Sequence, residues 1–154
     1  ASPRETEMKN TWILVADGSR ARLFEIGAPD GALNEVECFS NPEGRAHGRD
    51  STTGRPPSVD ESMGATRHTI QPHTTLREKS AERFARELKD ALERGRNEHL
   101  YERLVLVAPP RFLGVLHGTF DKPLRDCVVG EVRHDLTAMP PASIRSRLPA
   151  RLLT

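Results

Sequence analysis

Residues 12–16 read WILVA, and residues 104–108 read LVLVA. Both runs are short, unbroken and rich in branched aliphatic side chains, which is typical of strands buried on both faces of a sheet. Only central strands lose both faces to packing. We therefore predict that these two strands are adjacent in the middle of one sheet, and that the rest of the chain is arranged around them.

Three other segments have strand patterns. Residues 20–26 (RARLFEI) and 33–39 (LNEVECF) alternate polar and apolar residues, as a strand with one wet face does. Short turn sequences (residues 17–19 and 29–31) precede them, so the first three strands are predicted to form an antiparallel meander. A fifth strand is predicted at residues 128–133.

A long amphipathic helix is predicted from Thr75 to about Arg96. Thr75 and Glu78 have the T-x-x-E spacing of a capping box, which marks a helix start. A buried stripe with helical spacing follows: Ala81, Phe84, Ala85, Leu88, Ala91 and Leu92. A helix between two strands implies a right-handed crossover, so WILVA and LVLVA should run parallel.

Shorter helices are predicted after Pro110 up to His117, with Gly118 as the stop, after Asp121, and at residues 141–148. The element order is β-β-β-α-β-α-β-α. These connections give an α/β fold with a five-stranded mixed sheet in the order 3-2-1-4-5, strand 2 antiparallel to the others. This is a ribonuclease H-like arrangement with helices packed on the sheet.

The chain of 154 residues has the length of one domain. We predict a flexible segment at residues 1–11, a single domain at 12–148 and a basic tail at 149–154. Residues 40–75 are rich in Gly, Pro, Ser and Thr without apolar periodicity, which predicts a long mobile loop.

Charge and hydropathy exclude several classes of protein. The 23 Lys and Arg nearly cancel the 22 Asp and Glu, which excludes a polycation held on nucleic acid by bulk charge. No apolar run reaches the roughly 18 residues of a membrane helix, and no signal-peptide core follows the polar start. We expect a cytoplasmic protein without membrane contact, with Cys38 and Cys127 as buried free thiols.

A candidate ligand site lies where the sheet changes winding direction, between strands 1 and 4. Strand 1 leads into Asp17, Gly18, Ser19 and Arg20, and Arg111 lies at a helix N-terminus after strand 4. Free amides, a helix dipole and two guanidinium groups suit an anion or a phosphate. The same residues also suit an ordinary turn and a solvated first helical turn, so both interpretations stay open.

Other chemistries lack their residues. Two-metal nuclease chemistry needs several converging carboxylates, and LVLVAPP supplies none. The six histidines have no zinc-binding spacing, and no P-loop, GxSxG or GxGxxG string occurs. We expect neither a metal nor a cofactor.

A basic surface is a second candidate, for a partner or for RNA. Few aromatic residues accompany it, so contact by shape or with a ribosome is favoured over reading of bases. Its residues are Arg45, Arg49, Arg55 and Arg67 in the long loop, with Arg145, Arg147 and Arg151 near the end.

Four segments together resemble the bacterial host attachment protein family, described as proteins required for attachment to host cells. They are WILVADGSRARLFE, DSTTGRPPS, ERFARELKDALE and LVLVAPPRFLGVLHGTF, the last followed by HDLT. The family is similar to the central domain of archaeal and eukaryotic release factors and Pelota, which implies the ribonuclease H-like fold and a link to translation.

The resemblance does not extend to peptide release. Release factors use a Gly-Gly-Gln loop ahead of the long helix, and the nearest string here is Ile70-Gln71-Pro72. Proline removes a backbone donor and the freedom that two glycines give. We therefore expect a non-catalytic binding module that associates with the ribosome or RNA. The alternatives are an attachment or stress-related protein acting through protein partners, and a small-anion or nucleotide-binding enzyme at the crevice.

Overall fold

The central sheet contains five strands. A computed structural model of the chain describes residues 10–27, 31–43 and 63–153, and only the backbone at 63–75. The strands are β1 (Thr11–Ala16), β2 (Arg20–Ile26), β3 (Leu33–Ser40), β4 (Arg103–Val107) and β5 (Val128–Val132).

The strand order is β3-β2-β1-β4-β5. β1 pairs in parallel with β4, with Trp12 opposite Leu104 and Val15 opposite Val107. β2 is antiparallel to both of its neighbours, β1 and β3. The predicted ribonuclease H-like arrangement is confirmed, and WILVA and LVLVA are its central pair.

The two central strands feed two separate hydrophobic cores because their side chains alternate between the faces of the sheet. Trp12, Leu14, Leu104 and Leu106 belong to the core on one face. Residues between them, such as Val105, belong to the core on the other face. Every residue from Thr11 to Ala16 is buried, which explains the unbroken apolar run.

The helices cover both faces. They are α1 (Met63–Asn97), α2 (Pro110–Thr119), α3 (Lys122–Arg125) and α4 (Pro141–Ser146), with a 3-10 helix at Ala150–Leu152. α1 and α2 pack on one face, called here the α1 face, where Phe84, Leu88 and Leu92 are buried as predicted. α4 and the 3-10 helix pack on the other, the C-terminal face.

The predicted start of the long helix is wrong. α1 begins at Met63 and passes through Thr75, so Thr75 and Glu78 do not form a capping box. Residues 63–75 carry no apolar stripe, and Pro72 argues against a helix in local sequence. A helix can nevertheless extend from a packed segment, because each added residue contributes one hydrogen bond without a new nucleation cost. Of the predicted loop, residues 44–62 lie outside the described residues.

Neither α1 nor α2 ends at a glycine, so the residues that end them could not be identified from the sequence. His99 has a φ of 62°, and the amides of His99 and Leu100 donate to the carbonyls of Arg96 and Gly95. This is a Schellman motif with a non-glycine residue at its left-handed position. Gly118 is not the stop of α2, which continues through Thr119 and ends at Phe120 in extended conformation.

The C-terminal segment packs against the sheet. Leu152 is 2% exposed within the C-terminal core, and its side chain lies directly over Gly130 of β5. The end of the chain that we predicted as a basic tail therefore contributes an apolar anchor as well as arginines.

Candidate phosphate-binding groove

The turn between β1 and β2 is organised by Asp17. Its Oδ1 accepts hydrogen bonds from the amides of Ser19 at 2.8 Å and Arg20 at 2.9 Å. An aspartate that bonds to amides ahead of it closes an Asx turn. The Asp17 carboxylate is therefore committed to holding the turn, and it presents Gly18 and Ser19 at the exit of β1.

Asn41 fastens this turn to helix α1. The Asn41 amide donates to the carbonyl of Ser19 at 2.7 Å. Its side-chain Nδ2 donates to the carbonyl of Gly18 at 2.9 Å and to Ser80 Oγ at 3.0 Å. Asn41 and Ser80 are both buried, and buried polar groups that are fully bonded fix one geometry. The turn and α1 are therefore held at a set separation.

A groove of about 1340 Å³ opens between this turn, α1 and α2. Phe84 of α1 and Phe112 of α2 contact each other, with 6.1 Å between ring centroids. The groove is lined by residues of the turn, of α1 and of the start and body of α2. They are Gly18, Ser19, Arg77, Glu78, Ser80, Ala81, Glu82, Arg86, Lys89, Pro109, Arg111, Phe112, Gly114, Val115, Gly118 and Thr119. It thus lies at the predicted crevice and extends from there along both helices.

The lining carries more positive than negative charge. Arg77, Arg86 and Lys89 come from α1 and Arg111 from α2, while Glu78 and Glu82 are the acids. Lys89 Nζ lies 3.7 Å from Glu93 Oε2 and 4.0 Å from Asp121 Oδ2. The basic residues of α1 are distributed along about 18 Å of helix axis, at about 1.5 Å per residue.

The N-terminus of α2 adds backbone donors to one end of the groove. Pro109 precedes the helix and provides no side-chain cap, and Pro110 is its first residue. The first intrahelical bond is donated by Leu113 to the carbonyl of Pro109 at 2.9 Å. The amides of Arg111 and Phe112 precede that bond, and amides at this position favour negative charge.

The structure brings together three of the five predicted ligand-binding residues. Gly18, Ser19 and Arg111 line the groove, whereas Asp17 and Arg20 do not. Asp17 Oδ2 lies 3.2 Å from the Thr137 hydroxyl, beyond the end of β5. The prediction grouped all five because they follow strands 1 and 4, but Asp17 lies by Thr137 and Arg20 acts on Asp135, both outside the groove.

Asp135 is the second carboxylate in this neighbouring cluster. Its Oδ1 lies 2.7 Å from the Thr137 hydroxyl and accepts from the Thr137 amide at 3.1 Å. Desolvation alone would raise the pKa of Asp135. The hydrogen bonds from Thr137, the nearby Asp17 and the charge of Arg20 outweigh that effect and hold the pKa below its usual value. Arg20 thus acts on Asp135 rather than on the groove.

The predicted basic partner surface is divided in the structure. Arg145 Nε donates to the Gly31 carbonyl at 2.7 Å, so this guanidinium ties α4 to the start of β3. Arg147 and Arg151 are exposed beside helical turns that pack on the C-terminal face, whereas the groove lies on the α1 face. Arg67 lies on α1 where only the backbone is described, and Arg45, Arg49 and Arg55 lie outside the described residues.

The cysteines are free, but neither is fully buried. Cys38 is exposed on β3 and Cys127 is half-buried, so the expectation of buried thiols is wrong. β3 is an edge strand whose residues from Asn34 to Cys38 are all exposed, and the local alternation does not reveal this. Burial raises the pKa of the Cys127 thiol.

The described ranges hold neither a cluster of metal-binding side chains nor a helix that could span a membrane. Among these residues, no three His, Cys, Asp or Glu side chains are grouped so that they could hold a metal ion. Within the same part of the chain, no helix combines the length and hydrophobicity that crossing a bilayer requires.

One protein family matches the chain over nearly its whole length. The sequence model of the family described as "Protein required for attachment to host cells" matches residues 12–148. No curated protein sequence matches.

Several solved structures are similar to this chain in fold. An archaeal translation termination factor, aRF1, has a TM-score of 0.50 and 10% identity, covering 94% of this chain and 36% of its own. A structure described only as an archaeal protein has a TM-score of 0.45 and 13% identity, covering 93% of this chain and 35% of its own. The chain thus spans about a third of the length of these proteins. The first likeness shows a shared fold, as the resemblance to release factors implied.

Proposed function

The chain belongs to the family of proteins required for attachment to host cells, and we propose that it is a non-catalytic, cytoplasmic binding module that associates with RNA, including the RNA of the ribosome. The observation that carries this proposal is the basic groove between the β1–β2 turn, α1 and α2. The release-factor-like fold supports a link to translation.

The groove suits the phosphate backbone of RNA rather than its bases. Guanidinium groups such as those of Arg86 and Arg111 make charge-assisted, often bidentate bonds to phosphate oxygens. Phe112 is the aromatic residue of the lining and is 4% exposed because it packs in the core. Since stacking on exposed aromatic rings is the usual means of holding bases, the proposed contact is with the backbone and its shape.

Binding without catalysis agrees with the residues present. The sequence has no Gly-Gly-Gln string, and the Ser80 hydroxyl accepts a hydrogen bond from the side chain of Asn41. The Asp17 carboxylate is likewise occupied by turn amides. These groups hold the β1–β2 turn in place beside the groove.

Fluorescence anisotropy with a labelled RNA tests the proposal. Arg86→Gln and Arg111→Gln should each weaken binding at 0.1 M salt, and each should reduce the slope of log K against log salt by about 1. Arg94→Gln is the matched control, because Arg94 is exposed on α1 but does not line the groove. A change in the slope of log K against log salt for this variant would reflect only the long-range effect of the lost charge.

Ribosome co-sedimentation at moderate salt tests the partner. We expect the wild-type chain to sediment with ribosomes and the Arg86→Gln/Arg111→Gln double variant to remain in the supernatant. Absence of both RNA binding and ribosome association in the wild type would overturn the proposal. A thermal shift with inorganic phosphate or free nucleotides, without RNA binding, would instead favour a small-anion or nucleotide-binding enzyme at the same groove.

A second candidate function is that of an attachment or stress-related protein acting through protein partners, and the family description supports the attachment part. Surface labelling of intact cells tests the attachment part directly. Labelled protein on the outside would favour that role and contradict the proposed cytoplasmic location.

A further inference from the structure

Two glycines form an uncovered strip along the groove side of α2. Gly114 and Gly118 are four residues apart, which places them on the same face of the helix. Both line the groove and both are exposed. A Cβ atom added at either position would meet no heavy atom within 4 Å. The folded chain therefore has room for a side chain at both places.

Three other glycines among the described residues have evident structural reasons. A Cβ at Gly95 would come within 2.6 Å of the Trp12 ring, and one at Gly130 within 2.5 Å of Leu152. Gly31 has a φ of 77°. No positive φ and no such contact applies to Gly114 or Gly118, although glycine in a helix destabilises it relative to alanine. Packing and backbone conformation thus leave these two glycines unexplained.

The groove supplies a reason. On α2 its lining includes bare backbone at these two glycines beside Val115 and Thr119, and on α1 it includes Arg86 and Lys89. The direct contact of Phe84 and Phe112 shows that the two helices are packed together beneath the groove. Packed helices have axes about 8–10 Å apart, whereas an RNA duplex carries its two sugar-phosphate strands on either side of stacked base pairs and is wider than this spacing. A whole duplex cannot enter such a space, but one strand can.

We propose that the groove binds single-stranded RNA, whose sugar-phosphate chain lies on the Gly114–Gly118 strip while Arg86, Lys89 and Arg111 contact its phosphates. The basic cavity carries this inference, and the glycines define how closely the strand approaches α2. The inference rests on the proposed function and adds to it the strandedness of the ligand and two residues that select it.

The test compares a labelled 12-nucleotide oligouridine with a blunt RNA duplex of the same length by fluorescence anisotropy. We expect the wild type to bind the single strand at least tenfold more tightly than the duplex. Gly114→Leu/Gly118→Leu should weaken binding of the oligouridine at least tenfold, because the leucines occupy the space of the strand. Its melting temperature should be equal to or higher than that of the wild type.

Asn97→Leu is the control, since it adds an exposed leucine to α1 away from the groove. Its affinity should match that of the wild type. Equal binding of single strand and duplex, or unchanged affinity in the double leucine variant, would overturn this inference and leave the proposed function standing. A wild type that binds neither RNA would overturn both. If the double leucine variant loses binding and also has a lowered melting temperature, Gly114→Ala/Gly118→Ala is measured in its place. Unchanged affinity of that alanine variant for the oligouridine would overturn the inference.

Discussion

Gly95 is the residue at which α1 packs against the rings of Trp12 and Tyr101. Trp12 and Tyr101 stack at 4.6 Å between ring centroids, and a Cβ at Gly95 would lie 2.6 Å from the Trp12 ring and 3.1 Å from Tyr101. The Tyr101 hydroxyl donates to the carbonyl of Leu92, one turn earlier on α1. The rings therefore cannot move away without breaking contacts of their own.

We expect Gly95→Ala to lower the free energy of unfolding by about 1–3 kcal/mol, the usual cost of overpacking a core. The same substitution at Gly114 should raise it by up to about 1 kcal/mol, because that position is open and alanine favours helix. Urea denaturation of both variants measures the two effects. Equal shifts in the two variants would contradict the proposed close contact.

Asp135 should make stability depend on pH in the acidic range. Its pKa is lowered in the folded protein by Thr137, Asp17 and Arg20. A lowered pKa stabilises the fold above the unfolded pKa, near 4, and this stabilisation is lost as pH falls through the folded value. The contribution is therefore constant from pH 7 to about 5.

Asp135→Asn removes this contribution. Melting curves should show the variant below the wild type at pH 6, with the difference shrinking as the pH falls below about 5. The Thr137 hydroxyl and amide lose their charged acceptor in the variant at every pH, so a small constant difference is compatible with the prediction. A difference that grows on acidification would contradict it.

The β2–β3 hairpin is joined to α4 by the guanidinium group of Arg145. Arg145 Nε donates to the Gly31 carbonyl at 2.7 Å, and Gly31 has the positive φ that lets its carbonyl face α4. A neighbouring link runs from Arg22 of β2, whose Nη1 donates to the Met139 carbonyl at 2.6 Å. These bonds connect the meander with the segment that precedes and forms α4.

Arg145→Met should lower the free energy of unfolding by about 1–3 kcal/mol, since a hydrogen bond from a charged donor is lost and a carbonyl is left behind. Arg147→Met should change it by less than about 0.5 kcal/mol, because Arg147 is an exposed surface residue. Chemical denaturation of the pair measures the difference. If Arg147→Met had the larger effect, the assignment of Arg145 as a structural residue would be wrong.

The strands could be predicted from sequence because the burial of each face directly determines which residues of a strand are apolar. An unbroken run such as WILVA needs both faces covered, and its parallel pairing follows from the helix between the strands. The start of α1 could not be predicted, since residues 63–75 have no stripe that packing would select. The exposure of Cys38 was missed because alternation does not tell an edge strand from an inner one.

The candidate site was predicted in part for a similar reason. Gly18, Ser19 and Arg111 follow strand ends, where topology indicates a crevice. Arg77, Arg86 and Lys89 were not singled out, because charged residues on the polar side of an amphipathic helix look alike in sequence whether they face a groove or bulk water.

The molecule as a whole is a sheet between two cores, and the end of the chain belongs to one of them. Leu152 is 2% exposed on the C-terminal face. Leu152→Ala should lower the free energy of unfolding by about 2–4 kcal/mol, the range for a buried leucine. Thermal denaturation of this variant measures the loss. An unchanged melting temperature would show that the last helical turn is peripheral to the fold.

β1 and β4 are the part that both cores share. Their side chains alternate between the two faces, so separating these strands disrupts both cores, and neither strand lies at an edge of the sheet. Their amide hydrogens should consequently exchange with deuterated solvent through complete unfolding alone. The slowest-exchanging amide protons of WILVA and LVLVA would then report the free energy of global unfolding. Binding in the groove could be measured as a change in that free energy, without any label.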